Sequence, residues 1–145
     1  TGSFVDGFRS DNSYEGELEI QKGDDAFDKE QIKSVSVIKM DIEGYEKLAL
    51  QGLRNTLNKH RPVIVFEITT NPKSPVSIKS KEELTALFPE KYEFLVISDK
   101  SDKATGAYFL ESIDGIVRFD QAEQHDLVAY PAERKDAISR QGPKR

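Results

Sequence analysis

The feature that most constrains the fold of this chain is a run of two apolar segments with a helical repeat between them. Residues 35–40 are largely apolar and rich in β-branched residues, which predicts a strand covered on both faces of a sheet. Apolar residues then recur at helical spacing, and the predicted helix ends just before Pro62, because proline disfavours helical geometry in the preceding residue. A second buried strand follows at 63–68. Residues 35–68 therefore predict a parallel βαβ unit.

The predicted helix carries its apolar residues on one face. These residues are Tyr45, Leu48, Ala49, Leu53 and Leu57. A single apolar face of this kind is typical of a helix that packs against a sheet. Tyr45 is therefore interpreted as a core residue rather than as part of a site.

Shorter elements surround this unit. Alternating polar and apolar residues predict a strand at 17–22, and Asp24 or Asp25 is a plausible cap for the short helix that follows. Downstream, the pattern predicts one helix and four strands, at 81–88 and at 92–98, 107–112, 116–119 and 126–130. Asp114-Gly115 is predicted to form the hairpin turn that leads into the strand at 116–119.

The composition excludes several classes of function. The formal net charge is −5 with both signs interspersed, which argues against a nucleic-acid or anionic-membrane surface, and no apolar run is long enough to span a membrane. The chain has no cysteine, which excludes disulfides, thiolate catalysis and cysteine metal sites. It also agrees with a reducing compartment. We therefore expect a cytoplasmic protein whose partners are neither nucleic acid nor membrane.

Acidic residues follow both buried strands of the βαβ unit. Asp41 and Glu43 come after the first strand and Glu67 ends the second, so all three are expected at the edge of the sheet where open α/β folds bind ligands. Gly44 frees the backbone for the turn, and Glu46 lies in the first helical turn, where the helix dipole favours a carboxylate. In one interpretation Asp41, with Glu43 or Glu67, hydrogen-bonds to a substrate, takes a proton from it or binds a hard cation. In the other, Glu43 and Glu46 only favour the helix start and Glu67 is a solvated strand end.

The same residues resemble the FkbM family of S-adenosylmethionine-dependent methyltransferases. The matching residues are 37–44 (VIKMDIEG), Glu46, Leu50, Gly52 and 62–68 (PVIVFEI). Members of the family are similar, with Ile-Lys-Ile-Asp-Val-Glu-Gly-x-Glu, a Leu-x-Gly step and Pro-x-(Ile/Val)-x-x-Glu-(Ile/Leu). Upstream, residues 18–25 resemble the strand and Leu-Asp step of the family, with Gly23 where Leu is usual.

The resemblance implies a fold class and a division of the chain. It implies an α/β fold, a partial Rossmann-like methyltransferase sheet with a parallel core and an antiparallel edge hairpin. Residues 17–131 are then expected to form the carboxyl-terminal part of a methyltransferase domain. A polar loop at 1–16 and a charged tail at 132–145 are expected to flank it.

The resemblance also implies a chemistry. It implies methyl transfer from S-adenosylmethionine, most often to an oxygen of a sugar or of another small-molecule hydroxyl. By position, Asp41 matches the acidic residue that faces the acceptor end of the pocket, and Glu43 and Glu67 match the other acidic positions of the motif. A carboxylate at Asp41 suits this role, because it can orient or deprotonate a hydroxyl for in-line attack. No residue is assigned to a metal.

The glycines of this chain depart from the family pattern. Family members bind the cofactor with a glycine-rich turn after the first strand and an acidic residue at the end of the second. No two of the nine glycines of this chain are separated by one residue. We therefore expect a carboxyl-terminal part of a larger or split enzyme that, alone, binds the cofactor poorly or not at all, and no cofactor-binding residue is assigned.

Two further expectations follow from the missing cofactor turn. The strand at 35–40 would offer a hydrophobic edge to a partner or to a second copy. The alternative function is a non-catalytic binding or assembly module that retains the sheet core without a cofactor site.

Overall fold

The computed structural model describes residues 20–101 and 108–139, and the structural statements below refer to these residues. Its elements are α1 (Gly23–Lys29), β1 (Val37–Met40), α2 (Glu46–Gly52), α3 (Arg54–His60), β2 (Val63–Thr70), α4 (Lys81–Ala86), β3 (Tyr92–Ser101), β4 (Tyr108–Ser112), β5 (Glu123–Pro131), a 3₁₀ turn (Ala132–Arg134) and α5 (Lys135–Ser139). The five strands form one sheet in the order β1-β2-β5-β3-β4. β1 and β2 are parallel, and the other neighbouring pairs are antiparallel. The predicted fold class is confirmed: a partial Rossmann-like α/β sheet with a parallel pair and an antiparallel edge pair.

The predicted βαβ unit is present, but its helix is divided. Leu53 ends α2 and begins α3, and Asp24 accepts hydrogen bonds at 2.8 Å from the backbone N–H groups of Asn55 and Thr56 in the first turn of α3. Asp24 therefore caps α3 from a neighbouring helix. The prediction that Asp24 or Asp25 caps α1 is wrong, because Lys22 is the N-cap residue of α1 and makes no side-chain cap.

The core lies on the face of the sheet that α2, α3 and α4 cover. Along β2 the side chains alternate, and Ile64, Phe66 and Ile68 are buried while the residues between them are partly exposed. Leu50 of α2 and Leu84 of α4 are fully buried in the same cluster. The hydrophobic effect thus holds the helices to one face of the sheet.

Two sequence expectations about burial are wrong. β1 lies at one end of the described sheet, and Val37 is 63% exposed, so the described residues do not cover β1 on both faces. Tyr45 is 39% exposed and not part of the core. Tyr45 differs from the expectation because the apolar residues here lie on two faces: Leu50 of α2 enters the core, whereas Leu48 and Tyr45, the N-cap residue of α2, lie on another face.

The predicted strand at 116–119 is absent from the described residues. The chain turns after β4 instead, where the Val117 N–H donates a hydrogen bond to the Ile113 carbonyl at 3.1 Å. Both side chains are buried, which explains why the segment has an apolar pattern like that of a strand. The strand predicted at 126–130 is confirmed and longer, and it enters the sheet between β2 and β3.

The two ends of the chain are described only in part. Residues 20–22 are not in a strand, and the rest of the strand predicted at 17–22 lies outside the described residues, as does the polar loop predicted at 1–16. The predicted charged tail begins with the 3₁₀ turn and α5, and residues 140–145 lie outside. Glu133 of this segment forms an ion pair with Arg61, which lies two residues before β2, with an Nε–Oε1 distance of 2.5 Å.

Among residues 20–101 and 108–139, no helix has the length and apolarity that a membrane crossing requires.

Candidate active site

The turn between β1 and α2 is held by Glu46. This side chain is only 2% exposed, and its Oε1 accepts hydrogen bonds from the backbone N–H groups of Ile42, at 3.3 Å, and Gly44, at 3.1 Å. Glu43 and Gly44 both adopt positive φ, at 55° and 93°. Glu46 therefore has a structural role that sequence reasoning described only as helix-start stabilisation. The signal for it was the spacing, since a carboxylate two residues after a turn glycine can fold back onto the turn.

Asp41 follows β1 directly and its side chain is accessible. The carboxylate is 55% exposed and lies 3.4 Å from Nζ of Lys39, which is 66% exposed. An ion pair with this exposure contributes little to stability. Asp41 is therefore available to a ligand at the edge of the sheet.

Glu67 lies within β2 rather than at its end, because the strand continues to Thr70. It is partly buried, it pairs across the sheet with Asp126 of β5, and its Oε1 accepts a hydrogen bond from Gln124 Nε2 at 3.2 Å. Paired residues of neighbouring strands direct their side chains to the same face. Glu67 and Asp126 are thus two carboxylates side by side.

These carboxylates act on one another electrostatically. Burial raises the pKa of Glu67, and the negative charges of Asp41, Glu43, Asp126 and Glu46 raise it further. The structure therefore brings Asp41 and Glu43 close enough to Glu67 to change its protonation. Sequence reasoning missed Asp126, because only the insertion of β5 beside β2 brings it to this position.

A hollow of about 480 Å³ opens beside Glu67. Its lining includes Ser98 from β3, Glu111 from β4, and Gln124, His125 and Asp126 from β5. His125 Nε2 lies 3.1 Å from Glu123 Oε2, which orients the imidazole ring. The volume lies within the usual range for small-molecule sites, so Glu67, Glu111 and Asp126 border a space in which a small molecule can fit.

The described residues do not provide a cofactor cradle or a metal site. Their glycines are Gly23, Gly44, Gly52 and Gly115, and no two of them are close enough in sequence to form a glycine-rich turn. In residues 20–101 and 108–139, no group of three or more acidic or histidine side chains is arranged to hold a metal ion.

The mixed α/β sheet with its parallel strand pair is of the Rossmann-like class, whose members bind ligands at the edge where Asp41 follows β1 and Glu67 lies toward the carboxyl end of β2. The family described as Methyltransferase FkbM domain matches residues 8–114, more than half of the chain. The chain belongs to this family, which confirms the resemblance found in the sequence. The comparison with curated proteins found no match, and the comparison with solved structures found none either.

Proposed function

We propose that this chain acts in S-adenosylmethionine-dependent methyl transfer to a hydroxyl of a small molecule or a sugar. Its membership of the FkbM methyltransferase domain family supports methyl transfer in general. The observation that carries the acceptor assignment is the position of Glu67, a partly buried carboxyl among like charges and beside a hollow of about 480 Å³. Perturbed carboxyls in clefts are typical of catalytic acids and bases.

Glu67 is the residue we assign to proton transfer. A hydroxyl oxygen that attacks a methyl group must lose its proton, and a carboxylate with a raised pKa is a stronger base than an ordinary glutamate. Asp41 and Glu43 are exposed at the same edge and suit hydrogen bonds to other hydroxyls of the acceptor. In this assignment the proton moves from the acceptor hydroxyl to the Glu67 carboxylate.

The cofactor needs residues other than those described. S-adenosylmethionine supplies the methyl group in this family, but the described glycines form no turn that fits its adenosine and methionine groups. We therefore propose that this chain is the acceptor-side part of a larger or split enzyme. A glycine-rich turn contributed by other residues would hold the cofactor.

Methyl transfer by the complete enzyme that carries this domain tests the proposal. The assay follows a radiolabelled methyl group from S-adenosylmethionine to a panel of sugars and small hydroxyl compounds. Glu67→Gln is expected to reduce turnover about a hundredfold or more, because it removes the proton acceptor while it keeps the shape of the side chain. Glu30→Gln, an exposed residue beyond α1, is the matched control and should leave turnover unchanged. Full activity in Glu67→Gln would contradict the assignment.

A second candidate function is a non-catalytic binding or assembly module. The exposed apolar side chains of Tyr45 and Leu48 favour it, because such surfaces are typical of interaction sites. The two functions differ in the assay above. A complete protein that transfers no methyl group and still associates through this surface would support the second function and not the first.

A further inference from the structure

A smaller hollow, of about 200 Å³, lies between the turn that follows β1 and the end of β2, and we call it the turn hollow. Glu43 and Gly44 line it from the turn, Thr69 lines it from β2, and the loop of residues 71–77 completes the lining. Its polar side chains include those of Glu43, Thr69, Asn71, Ser74 and Ser77. None of the described residues that line it is cationic. The turn hollow therefore offers hydrogen bonds to a ligand and does not attract an anion.

The loop that lines the turn hollow is held in place by hydrogen bonds of its own. Ser77 is 3% exposed, and its Oγ accepts a hydrogen bond from the Asn71 N–H at 2.8 Å and donates one to the Thr69 carbonyl at 2.9 Å. Nζ of Lys79 donates to the Asn71 carbonyl at 2.7 Å and also contacts the Ser74 carbonyl. These bonds attach the loop to the end of β2. The turn hollow is therefore formed before a ligand binds, as small-molecule sites usually are.

The turn holds Glu43 in a conformation that a glutamate rarely adopts. Its φ is 55°, in the left-handed region that is unfavourable for residues with a Cβ. Gln31 and Arg61 share this conformation, but they follow helices, where it is common. Glu43 instead lies between a strand and a helix, and the buried carboxylate of Glu46 accepts hydrogen bonds from the N–H groups of the two residues that flank it. Strain that is maintained in this way is typical of binding and catalytic sites.

Thr69 adds a polar atom that has no partner. Its Oγ1 is buried, and no described residue makes a hydrogen bond with it. Such atoms are uncommon in folded proteins, because the hydrogen bonds that they lose to water are not replaced. A ligand hydroxyl in the turn hollow, which Thr69 lines, would supply the missing partner.

We propose that the turn hollow binds a neutral, hydroxyl-bearing part of the methyl acceptor, such as one ring of a sugar, and that Glu43 accepts hydrogen bonds from it. This inference rests on the proposed function, in which the acceptor is a hydroxyl compound. A carboxylate only accepts hydrogen bonds, whereas amide and hydroxyl side chains both donate and accept them, so the lining matches hydroxyl groups that do both. The negative charges of Glu43, Asp41 and Glu67 at this edge disfavour an anionic ligand.

The turn hollow continues the space beside Glu67. Glu67 and Thr69 are two residues apart on β2, so their side chains point to the same face, at a spacing of roughly 7 Å along the strand. An acceptor held in the turn hollow therefore extends toward Glu67 with the hydroxyl that reacts. β1 ends the described sheet, so strands that complete the sheet lie on the other side of the turn from this hollow. Acceptor and cofactor then bind on different sides of the turn.

Steady-state kinetics of the complete enzyme that carries this domain test the assignment of Glu43. The probes are the methyl glycosides of glucose, galactose and mannose, and the pH is kept well above the pKa of Glu67. Glu43→Gln should raise the KM of the sugar about tenfold and leave kcat within about threefold, because it weakens hydrogen bonds away from the reacting hydroxyl. Glu67→Gln should instead lower kcat. Glu30→Gln, the exposed control, should change neither value.

Glu43→Gly separates ligand binding from folding. Glycine adopts a φ of 55° without strain, so this variant should have a higher melting temperature than the natural chain and still raise KM. Lys91→Gly is the matched control, because Lys91 is exposed, has a φ of 63° and lies directly before β3. It should raise the melting temperature and leave KM unchanged. Thr69→Val removes the unpaired hydroxyl and should raise both values.

The outcomes distinguish this inference from the proposed function. If the complete enzyme methylates no hydroxyl compound, the proposed function fails, and saturation-transfer NMR with the same methyl glycosides tests the turn hollow directly. Binding that weakens in Glu43→Gln but not in Glu30→Gln would support the inference even then. It would be overturned if no methyl glycoside binds, if Glu43→Gln leaves binding unchanged, or if Glu43→Gln lowers kcat without a change in KM. Tighter binding of sugar phosphates or amino sugars than of neutral sugars would overturn it as well.

Discussion

The carboxylate of Glu46 closes the turn that contains Gly44, with its Oε1 at 3.1 Å from the Gly44 N–H. The same oxygen accepts a hydrogen bond from the Ile42 N–H at 3.3 Å. These contacts fix the path of the chain immediately after Asp41. One acid of the motif thus positions the turn, while Asp41 and Glu43 remain exposed at the edge of the sheet.

Replacement of Glu46 by alanine should destabilise the fold. The substitution removes the acceptor for the Ile42 and Gly44 N–H groups, and unpaired groups of this kind cost about 1–3 kcal/mol of unfolding free energy when buried. Glu46→Gln keeps an acceptor oxygen and should cost less. Urea unfolding measures both, with Glu30→Ala as the exposed control, for which a change within about 0.5 kcal/mol is expected. An effect of Glu46→Ala as small as that of the control would contradict this role.

Two glycines of the motif should respond differently to alanine. Gly44 has a φ of 93°, and the nearest atom to an added Cβ is Thr69 Cβ at 3.8 Å, so there is space but the backbone is strained. Gly44→Ala should therefore cost roughly 1–2 kcal/mol of unfolding free energy. Gly52 lies in α2, where an added Cβ meets no atom nearer than 3.5 Å, and Gly52→Ala should stabilise by about 0.5–1 kcal/mol through helix propensity. Thermal unfolding of the two variants compares them, and equal effects would contradict the difference in backbone conformation.

The parts of the fold that the sequence predicted are local. For residues 35–68 the type and order of the elements were predicted correctly, apart from the division of the helix, because strands and helices each carry their own periodicity. The position of β5 between β2 and β3 depends on contacts between distant residues, so it left no pattern in the sequence. Tyr45 was misassigned because helical spacing identifies apolar faces but not which of two faces meets the sheet.

The candidate site was likewise predicted from the sequence only in part. Asp41 and Glu67 were placed at one edge by strand direction, which a parallel pair determines. Asp126 could not be added, because its pairing with Glu67 follows only from the insertion of β5. The effect of these charges on the pKa of Glu67 likewise required the assembled sheet.

Asp24 should contribute to stability in a pH-dependent way. Burial acts to raise its pKa, but hydrogen bonds from Asn55 and Thr56 act in the other direction, and the pKa lies below its ordinary value of 3.8. The stabilisation by Asp24 is therefore fully present above the pKa that Asp24 has in the unfolded chain. It is lost as the pH falls through the lower pKa that Asp24 has in the folded chain. Asp24→Ala should cost about 1 kcal/mol at neutral pH, the usual effect of removing a helix cap. Urea unfolding at several pH values measures this, with Asp25→Ala, an exposed neighbour, as the control.

The natural chain and Asp24→Ala should differ less in unfolding free energy below the pKa of Asp24 in the folded chain. A difference that persists unchanged there would contradict the capping role. The reason is that a protonated carboxyl is a poorer acceptor for the two N–H groups of α3. Equal effects of Asp24→Ala and Asp25→Ala at neutral pH would contradict it as well.

The pair between Arg61 and Glu133 should stabilise the attachment of the 3₁₀ turn. The guanidinium makes two contacts with the carboxylate, at 2.5 Å and 3.1 Å, and lies 5.3 Å from the ring centroid of Tyr92. The hydrogen bond from Arg61 is the largest influence on the pKa of Glu133 and lowers it to about 2. The stabilisation is therefore present above the ordinary value of 4.5 and is lost as the pH falls through about 2.

Glu133→Gln and Arg61→Lys test this pair separately. Glu133→Gln should lower the unfolding midpoint at neutral pH and match the natural chain below the pKa of Glu133. Arg61→Lys keeps the positive charge but loses the bidentate hydrogen bonding to Glu133, so it should also lower the midpoint of unfolding. Hydrogen exchange of the backbone of residues 132–134 reports local detachment. Unchanged exchange in both variants would contradict the attachment.

The rate of methyl transfer should depend on pH through Glu67. Its carboxylate is the proposed proton acceptor, so turnover is expected to fall as the pH drops through its pKa, which lies above the ordinary value of 4.5. Asp126→Asn removes one of the negative charges that raise this pKa, so the acid limb of the kcat/KM profile should move to lower pH. Carbon NMR titration of the Glu67 carboxyl should show the same direction of change without any turnover. Asp120→Asn removes an exposed charge that has no effect on Glu67 and should leave both curves in place. An Asp126→Asn variant that moves neither curve would show that the carboxylates at this edge do not act together.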